Sequence, residues 1–518
     1  MNSDRIRPEL DGAIPDSHRR TRTVAVVGAG ASGILTAVQL IEQALAQDLR
    51  DGLRIQLFDK SGRFTSGPAY GTPYDCHILN MRAATMSVID GRPDDFCDWL
   101  AARDEGGGRR TQRDAYVPRR LYGRYLTERL AHAADRAERH GVAVEFLPLE
   151  VTDCLPGDGK ALLQCGDRAL ACDAAVLCSG DIPGNRFPQL TGHLGYLPSA
   201  WHYDAFERIP EHAPVVVLGS SLTAVDAVLL LDALGHRGRV HCVSRVRSLP
   251  KVQGGPTTPA PSRFVTREAI DRMAKGGARP LALAEVFDLY RREIEHATGT
   301  PLNVPGLLAA PQLPLADALS ADIAQAAEGR NRWYPALDAT GHLAPYLWHR
   351  LDTTAKDTFL ARYASLWAMY RHSMPLPNAR RIHRLAADGR LQVHTGFRSV
   401  SPPDGGRGGF RVSCGTDERH GELSAEYVIN ATGASPDITQ LDDPLLRNLV
   451  RAGHLRPHRH GGVDVQFGTG RAIAADGVAR APLYFVGPLT RGVHFYTNSI
   501  ETLLANASAT AASLLRDL

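Results

Sequence analysis

The chain has 518 residues, of which 43% are hydrophobic and 22% charged, and its 59 basic side chains nearly balance 56 acidic ones. This length favours two or three domains with large cores, and the balanced charge argues against a nucleic-acid partner. We expect no membrane span and no secretory signal, because no apolar run is long enough. Eight cysteines without a C-x-x-C pair predict reduced structural thiols in a cytoplasmic protein, and the preference for arginine over lysine suggests a bacterial one.

Residues 1–20 are expected to form a polar tail, and a buried strand is predicted at residues 24–27. A G-x-G-x-x-G turn and a helix over 32–45 follow, and this order is typical of a dinucleotide-binding unit. The glycines allow a tight turn, close approach of a diphosphate and close helix packing, and the helix N-terminus attracts negative charge. The predicted cofactor-binding residues of this turn are Gly28, Gly30, Ser32 and Gly33.

A second strand, 53–59, ends in Asp59, which is placed to bind ribose hydroxyls. Asp59 lies 26 residues beyond Gly33, so we expect a long connection between the first helix and this strand.

The remaining signals around this unit favour FAD. A loop rich in Gly, Pro and Asn at 67–88 takes the place of a further helix and strand, and we expect it to cover a flavin. Late strands at 427–433 and 482–490 are expected to close the same site, and the last helix is expected to turn its N-terminus to the flavin. Asn498 and Glu501 have the spacing of a capping box for that helix. The predicted contacts are Asn80, Met81, Thr432, Gly433, Gly487 and Asn498.

A second strand–turn–helix pattern at 215–231 has Gly219, Ser221 and Ala224 at the three glycine positions. The strand after it ends in Ser244 and Arg245, with Arg247 two residues on, where an NAD site would have an acid. A cationic tip suits the 2′-phosphate of NADPH, and solvated arginines at a strand end are the alternative. Two nucleotide units would let a nicotinamide pass a hydride to a flavin at their interface.

These motifs resemble the FAD/NAD(P)-binding proteins of the flavin monooxygenase-like superfamily, and within it the branch with nitrosuccinate-forming L-aspartate N-monooxygenases. The resemblance covers most of residues 23–518 and rests on VAVVGAGASG, GPAYGT, HILNM, YVPRRLYGRYL, VVVLGSSLTAVDAVLLL, VHCVSRVRSLPKV, NATG and LYFVGPLTRG, in that order. It implies binding of FAD and NADPH and oxygenation of a small molecule, without specifying the substrate.

The predicted fold class is therefore α/β, with two Rossmann-like dinucleotide-binding domains and a helical insertion. We expect an FAD domain in two segments, 21–205 and 396–518, and an NADPH domain at 206–395 whose helical insertion spans 255–385. A good amphipathic helix is predicted at 281–297, and a hairpin-like loop at 402–410.

The leading hypothesis is an NADPH-dependent monooxygenase that uses O2 and forms a flavin C4a-hydroperoxide, most plainly for N-hydroxylation of an amine or amino acid. An NADPH-dependent oxidase or reductase, and a non-catalytic FAD/NADPH-binding protein, remain alternatives. A flavin disulfide reductase is disfavoured, since residues 34–60 contain no cysteine. Candidate catalytic residues are His494, Tyr496 and Arg371, with His372 beside Arg371 as a possible carboxylate partner. No metal is expected, and a homo-oligomer is a possible assembly.

Overall fold

The computed structural model describes residues 21–49, 52–64, 67–103, 113–157, 159–180, 182, 186–246, 249–254, 261–308, 313–402, 409–416, 419–433 and 435–518. Within these ranges the chain forms two units, each built on a mostly parallel sheet with helices packed against it. The α/β fold class with two Rossmann-like units is therefore confirmed. The strands are β1 (Arg22–Val27), β2 (Leu53–Phe58), β3 (Ala143–Leu147), β4 (Asp153–Gly157), β5 (Lys160–Cys165), β6 (Arg168–Cys172), β7 (Ala174–Leu177), β8 (Tyr196–Leu197), β9 (Val215–Leu218), β10 (Val240–Val243), β11 (Leu391–His394), β12 (Ser399–Ser401), β13 (Phe410–Thr416), β14 (Arg419–Ala425), β15 (Tyr427–Asn430), β16 (Arg471–Ile473) and β17 (Ala479–Phe485).

The α-helices of the described residues pack around these sheets and fill the segment between β10 and β11. They are α1 (Ala31–Ala46), α2 (Asp95–Ala101), α3 (Arg119–Arg139), α4 (Tyr203–Phe206), α5 (Leu222–Ala233), α6 (Arg267–Met273), α7 (Leu283–Thr298), α8 (Val304–Leu308), α9 (Leu315–Ala327), α10 (Trp333–Ala339), α11 (Ala344–Arg350), α12 (Thr353–Arg362), α13 (Ala364–Arg371), α14 (Leu376–Ala387), α15 (Pro444–Arg451), α16 (Arg491–His494) and α17 (Ile500–Asp517).

The first sheet has the order β16–β17–β7–β1–β2–β3, and every neighbouring pair except β16–β17 is parallel. Its central strands β1 and β7 are short apolar runs buried by layers on both faces. α1 and α17 pack together on one face, where the Gln43 side-chain amide donates to the Ser508 carbonyl at 3.0 Å. The expected long connection before β2 is wrong, because α1 itself runs 16 residues and ends at Ala46.

The second sheet has the order β11–β10–β9–β15–β8, with all pairs parallel. The strand within residues 427–433, which are expected to close the FAD site, belongs to this second sheet. β15 pairs with β9, with Tyr427 opposite Val215 and Asn430 opposite Leu218. β8, at Tyr196–Leu197, also joins this sheet, so the sheet membership differs from the predicted boundaries at 205 and 396. Short buried parallel strands share one sequence pattern, which does not specify the sheet that each strand joins.

Two small antiparallel sheets, β4–β5–β6 and β12–β13–β14, pack on the first and second units respectively. The predicted hairpin-like loop lies between β12 and β13, which pair antiparallel, but its residues 403–408 are outside the described ranges. The helical insertion is confirmed between β10 and β11, and its amphipathic helix is α7. A buried cluster with Leu281, Leu289 and Trp348 forms its core.

Two searches of the described part of the chain gave negative results. No helix there combines the length and apolar character needed to cross a bilayer. The same residues contain no cluster of three or more His, Cys, Asp or Glu side chains that could hold a metal ion.

Candidate nucleotide-binding and active site

The first glycine-rich turn, between β1 and α1, has the geometry of a phosphate-binding loop. Gly28 has a φ of 101°, and a Cβ added there would lie 2.8 Å from the Cys178 carbonyl oxygen. A Cβ on Gly33 would collide with the Gly28 carbonyl oxygen, whereas a Cβ on Gly30 would meet no described atom within 4 Å. The turn therefore needs Gly28 and Gly33 for its own packing, while the space beside Gly30 is open for a diphosphate.

Asp59 lies directly after β2 and is tied to this turn. The Ala29 backbone N–H donates to Asp59 Oδ2 at 3.2 Å, and the Ser61 N–H donates to Oδ1 at 2.9 Å. The carboxylate thus fixes the turn and stays only partly buried. Its contact with a ribose remains a prediction, compatible with this position at the carboxyl edge of the sheet.

Two further glycines allow segments from the late and the early part of the chain to pack against the first glycine-rich turn. Gly487 follows β17 with a φ of 137°, and a Cβ there would lie 3.2 Å from Ser32 Oγ. Gly67 begins the described part of the predicted covering loop, and a Cβ there would lie 3.5 Å from the Gly30 Cα. The structure therefore brings Gly30, Ser32 and Gly487 together, although Ser32 and Gly487 are 455 positions apart in the sequence.

The N-terminus of α17 lies next to this region, because the Thr497 hydroxyl donates to the Pro488 carbonyl at 3.1 Å. The N-cap is Ser499, whose side chain makes no capping hydrogen bond. The predicted capping box of Asn498 and Glu501 is therefore wrong by one residue, and Asn498 lies exposed before the cap. The first backbone N–H groups of the helix have no intrahelical partner, and such groups suit an anionic ligand.

The second turn joins β9 to α5. Gly219 has a φ of 125°, and a Cβ there would lie 2.7 Å from the Ala431 carbonyl oxygen, so this position needs glycine. Ser221 is the N-cap of α5 without a side-chain cap bond, and Ala224 is fully buried. Thr432 directly follows Ala431, and its N–H and hydroxyl both donate to Asn430 Oδ1. Thr432 and the adjacent Gly433 therefore lie beside the second turn, and their contact with FAD remains a prediction.

The tip of β10 carries the predicted 2′-phosphate contacts. The Ser244 N–H donates to the His394 carbonyl at 2.9 Å, which fixes the strand end. Arg245 is exposed, and its carbonyl accepts from the Gly396 N–H at 3.1 Å. Its guanidinium is thus available at the carboxyl edge of the second sheet. Arg247 lies outside the described residues.

The covering loop lies between the two units. The Gln253 side-chain amide donates to the Asn80 carbonyl at 2.7 Å and to the Ser373 carbonyl at 2.8 Å. Met81 packs, partly buried, against the core of the first unit. Asn80 and Met81 are thus placed where the first unit meets the second, and their contact with a flavin remains a prediction.

An ion pair that sequence reasoning missed also crosses this boundary. Arg119, on α3 of the first unit, lies 2.8 Å from Asp226, on α5 of the second, and their side chains are 10% and 8% exposed. The Arg119 Nε also donates to the Ile78 carbonyl at 3.1 Å. Both residues belong to motifs that resemble the family, YVPRRLYGRYL and LTAVDAV, but nothing in the sequence indicates that the two motifs meet.

The structure does not favour the predicted catalytic role of His494. Its Nδ1 lies 3.0 Å from the Thr490 hydroxyl and its Nε2 lies 3.0 Å from the Phe467 carbonyl oxygen, so both ring nitrogens have protein partners. Burial lowers the pKa of His494 to about 4. These contacts fit a neutral structural histidine that holds the segment after β17.

Tyr496 and Arg371 do lie together. The Arg371 guanidinium stands 4.7 Å from the centre of the buried Tyr496 ring, and the His372 ring stacks on the same tyrosine at 5.5 Å. The Arg371 Nε and Nη atoms are buried without a hydrogen-bond partner among the described residues, and Asp338 lies 3.6 Å away. Burial, reinforced by the charges of Arg371 and Arg491, lowers the pKa of His372 to about 4.

A cavity of about 150 Å³ joins these groups to the start of α17. His372, Arg491, Tyr496 and Asn498 are among its lining residues, whereas Arg371 lies behind Tyr496. Tyr496 is therefore placed to touch a ligand, whereas Arg371 does not line this cavity. We call this space the small cavity.

Comparison with known proteins identifies the class of fold. Residues 25–182 match a family model described as FAD-NAD(P)-binding. The whole chain resembles L-lysine 6-monooxygenase from Pseudomonas syringae, with 16% identity, a TM-score of 0.58, and coverage of 96% of this chain and 99% of that one. The predicted resemblance to FAD/NAD(P)-binding proteins with the flavin monooxygenase fold is therefore confirmed, and FAD and NADPH agree with it as cofactors.

Two other solved structures and one sequence relative are also similar to this chain. The Kutzneria sp. 744 ornithine N-hydroxylase, solved with reduced FAD, NADP+ and ornithine, is 16% identical with a TM-score of 0.55, covering 96% of this chain and 99% of that one. The FAD-bound cadaverine monooxygenase DfoA from Erwinia amylovora is 13% identical with a TM-score of 0.56, covering 95% and 93%. The uncharacterized Escherichia coli K12 protein YdhS is 23% identical over 310 residues, which are 53% of this chain. The chain spans about half the length of that relative, 55%.

Proposed function

We propose that the protein is an NADPH-dependent flavin monooxygenase that N-hydroxylates an amine or amino acid. The observation that carries this proposal is the pair of glycine turns, one at the carboxyl edge of each parallel sheet, in units that meet at the covering loop. Two such turns bind two dinucleotides, and their juxtaposition serves hydride transfer between them. The fold shared with three amine-hydroxylating enzymes supports the reaction class.

The residues of the first unit fit FAD. Gly28, Gly30 and Gly33 would hold the diphosphate at the N-terminus of α1, and Asp59 would reach the ribose. In the second unit Gly219 and Ser221 would hold the NADPH diphosphate, and Ser244 and Arg245 would bind its 2′-phosphate. When bound, NADPH would supply the hydride and the reduced flavin would activate O2, which itself supplies the oxygen atom that is transferred.

The chain's own contribution lies in the small cavity. Arg491 lines it, whereas the Arg371 charge has Asp338 3.6 Å away, so Arg491 is the cation that a protonated amine there would face. Neighbouring cations lower the pKa of an amine, and only the unprotonated nitrogen has the lone pair needed to take up oxygen. His372, with its pKa of about 4, adds no positive charge at neutral pH. The cavity thus favours the reactive form of an amine substrate.

The alternatives predict different acceptors for the electrons. A disulfide reductase needs a reactive thiol near the flavin, yet Cys178, which lies against the first turn, is fully buried, and burial raises its pKa to about 12. The eight cysteines, all among the described residues, form no disulfide. An oxidase would turn all NADPH electrons into H2O2, and a non-catalytic protein would bind NADPH without consuming it.

The test is a coupled assay with the purified, FAD-loaded protein. NADPH consumption, H2O2 release and hydroxylamine formation are measured together across a panel of amines and amino acids. The proposal predicts that at least one amine raises NADPH consumption and converts it into hydroxylamine with little H2O2. Full recovery of the electrons as H2O2 with every amine would identify an oxidase, and no consumption at all would identify a binding protein.

A further inference from the structure

A second and larger cavity lies in the helical insertion, and none of the predicted nucleotide contacts lines it. Its volume is about 550 Å³, and it lies among helices α7, α10, α11, α12 and α13. Nine of the residues that line it are aromatic, and they include Trp333, Trp348 and Trp367, three of the five tryptophans of the chain. Cavities of this size, lined mainly by apolar and aromatic groups, are typical of small-molecule sites. We call it the aromatic cavity.

The charges of the aromatic cavity are already paired. Among the described residues that line it, Lys251 and Asp322 alone are charged, and the Lys251 ammonium lies 3.2 Å and 3.0 Å from the two carboxylate oxygens of Asp322. A second ammonium or carboxylate on a ligand would therefore lose water without gaining a free counter-ion. The cavity fits an apolar body and disfavours a chain that ends in a further charge.

The aromatic cavity adjoins the small cavity. Trp367 and Phe495 line both spaces, with their ring centres 4.9 Å apart, and Phe495 also stacks on Trp348 at 4.7 Å. These two rings therefore form the wall between the space next to α17 and the space inside the helical insertion. A ligand that fills the aromatic cavity would have one end at this wall.

The backbone of Phe495, one of the two wall residues, is strained. Phe495 has φ 54° and ψ −67°, and the Tyr496 N–H donates to the His494 carbonyl at 2.6 Å. This is a classic γ-turn, which is rare for a residue with a side chain. Strain of this kind persists only where the surrounding structure imposes it, and it is concentrated at ligand sites. Here the packing of Phe495 against Trp348 and Trp367 imposes it.

We infer that the aromatic cavity binds an amine with a bulky apolar body, preferably an aromatic one, and directs its nitrogen past Phe495 into the small cavity. That this amine is the oxygenated substrate rests on the proposed function. The inference separates this chain from the enzymes that act on ornithine, lysine or cadaverine, each of which carries a second charged group.

Binding is measured by calorimetry on the oxidised, FAD-loaded protein, with 2-phenylethylamine as the aromatic probe and 1,4-diaminobutane as the doubly charged one. We expect 2-phenylethylamine to bind about tenfold more tightly, a difference of about 1.4 kcal/mol. Leu283→Trp fills the cavity from α7 and should weaken 2-phenylethylamine about tenfold or more. Ala284→Trp adds the same ring one residue further on, at an exposed position outside the cavity, and should leave binding within about twofold.

FAD content and the rate of flavin reduction by NADPH show whether each variant has folded, and Thr298→Trp, at the far end of α7, is a second filling variant. Equal binding of the two amines, or unchanged binding in both filling variants, would overturn the inference. Should 2-phenylethylamine bind as expected but leave NADPH consumption unchanged, the binding site would stand and the assignment of its ligand as the oxygenated substrate would fail.

Discussion

Replacing Gly30 by valine should remove FAD at little cost to the stability of the fold. Gly30 has φ −70° and ψ −174°, an extended conformation open to any residue, and an added Cβ would meet no described atom within 4 Å. Gly30 is also the N-cap of α1, where valine is less favourable than glycine, so folding stability should fall by no more than about 1 kcal/mol. The valine methyl groups would occupy the space beside the turn where the diphosphate must lie. Each charge-assisted hydrogen bond lost there costs about 1.5–3 kcal/mol, so the dissociation constant of FAD should rise by a factor of about 10 to 100 or more.

The assay compares the flavin-to-protein absorbance ratio of the purified proteins, FAD titration of the apoproteins, and thermal unfolding of the apoproteins. Gly33→Ala is the matched control, because its single methyl group would collide with the Gly28 carbonyl oxygen and must shift α1. We expect a colourless but stable Gly30 variant and a destabilised Gly33 variant. Full FAD occupancy in Gly30→Val, or equal loss of stability in both, would refute the reasoning.

Three further outcomes follow from the charges of the molecule. Arg245→Ala should raise the Michaelis constant for NADPH about tenfold and leave that for NADH nearly unchanged, since only NADPH has the 2′-phosphate. Equal changes in the two Michaelis constants would exclude Arg245 as the residue that binds the 2′-phosphate. Burial lowers the pKa of His77 and of His494 from 6.5 to about 4. Below about pH 6.5 the histidines of the unfolded chain take up protons that those of the folded chain do not, so the free energy of unfolding falls as the pH drops towards about 4. The loss is roughly 1.3 kcal/mol for each histidine at pH 5.5. An unchanged melting temperature between pH 7.5 and 5.5 would contradict these lowered pKa values. Amine oxygenation should rise from about pH 7 to 9 as the substrate loses its proton, with a smaller change in flavin reduction, and parallel profiles of the two steps would contradict this.

The sequence predicts the two nucleotide units well, because their signals are local. The turn of Gly28, Gly30 and Gly33 needs a strand before it and a helix after it, and all three appear in the expected order. Asp59 likewise follows its strand directly, as the sequence predicts. Each of these inferences depends on residues that are neighbours in the chain, where backbone geometry limits the choices.

The sequence predicts long-range placement less well. The sequence predicts a strand at residues 427–430, but its apolar pattern suits either sheet. Only the tertiary structure shows that this strand pairs with β9. His494 lies where flavoprotein active sites are often found. Its Nε2, however, is paired with the carbonyl oxygen of Phe467, which lies 27 positions earlier in the chain. The γ-turn at Phe495 has no sequence signature, because the rings that impose it come from the helical insertion.

The buried pair of Arg119 and Asp226 gives the last prediction, which concerns how the two nucleotide units are held relative to each other. The pair joins α3 of the first unit to α5 of the second at 2.8 Å, and removing one charge leaves the other buried without its partner. Asp226→Asn should therefore cost about 3–5 kcal/mol of stability at most, since the amide keeps one acceptor oxygen. It should also slow flavin reduction by NADPH, because a shift of about 1 Å between reacting groups can cost about a hundredfold in rate.

Asp232→Asn separates this effect from simple loss of a charge. Asp232 lies on the same helix, and its partners Arg384 and Arg390, at 3.0 Å and 3.3 Å, belong to the second unit itself. Its substitution should lower stability without moving one unit against the other, so flavin reduction should stay within about twofold of the original rate. Stopped-flow reduction at saturating NADPH, with FAD content measured on the same samples, distinguishes the two variants. Equal slowing in both would show that the Arg119 pair stabilises the fold but does not position the nucleotides.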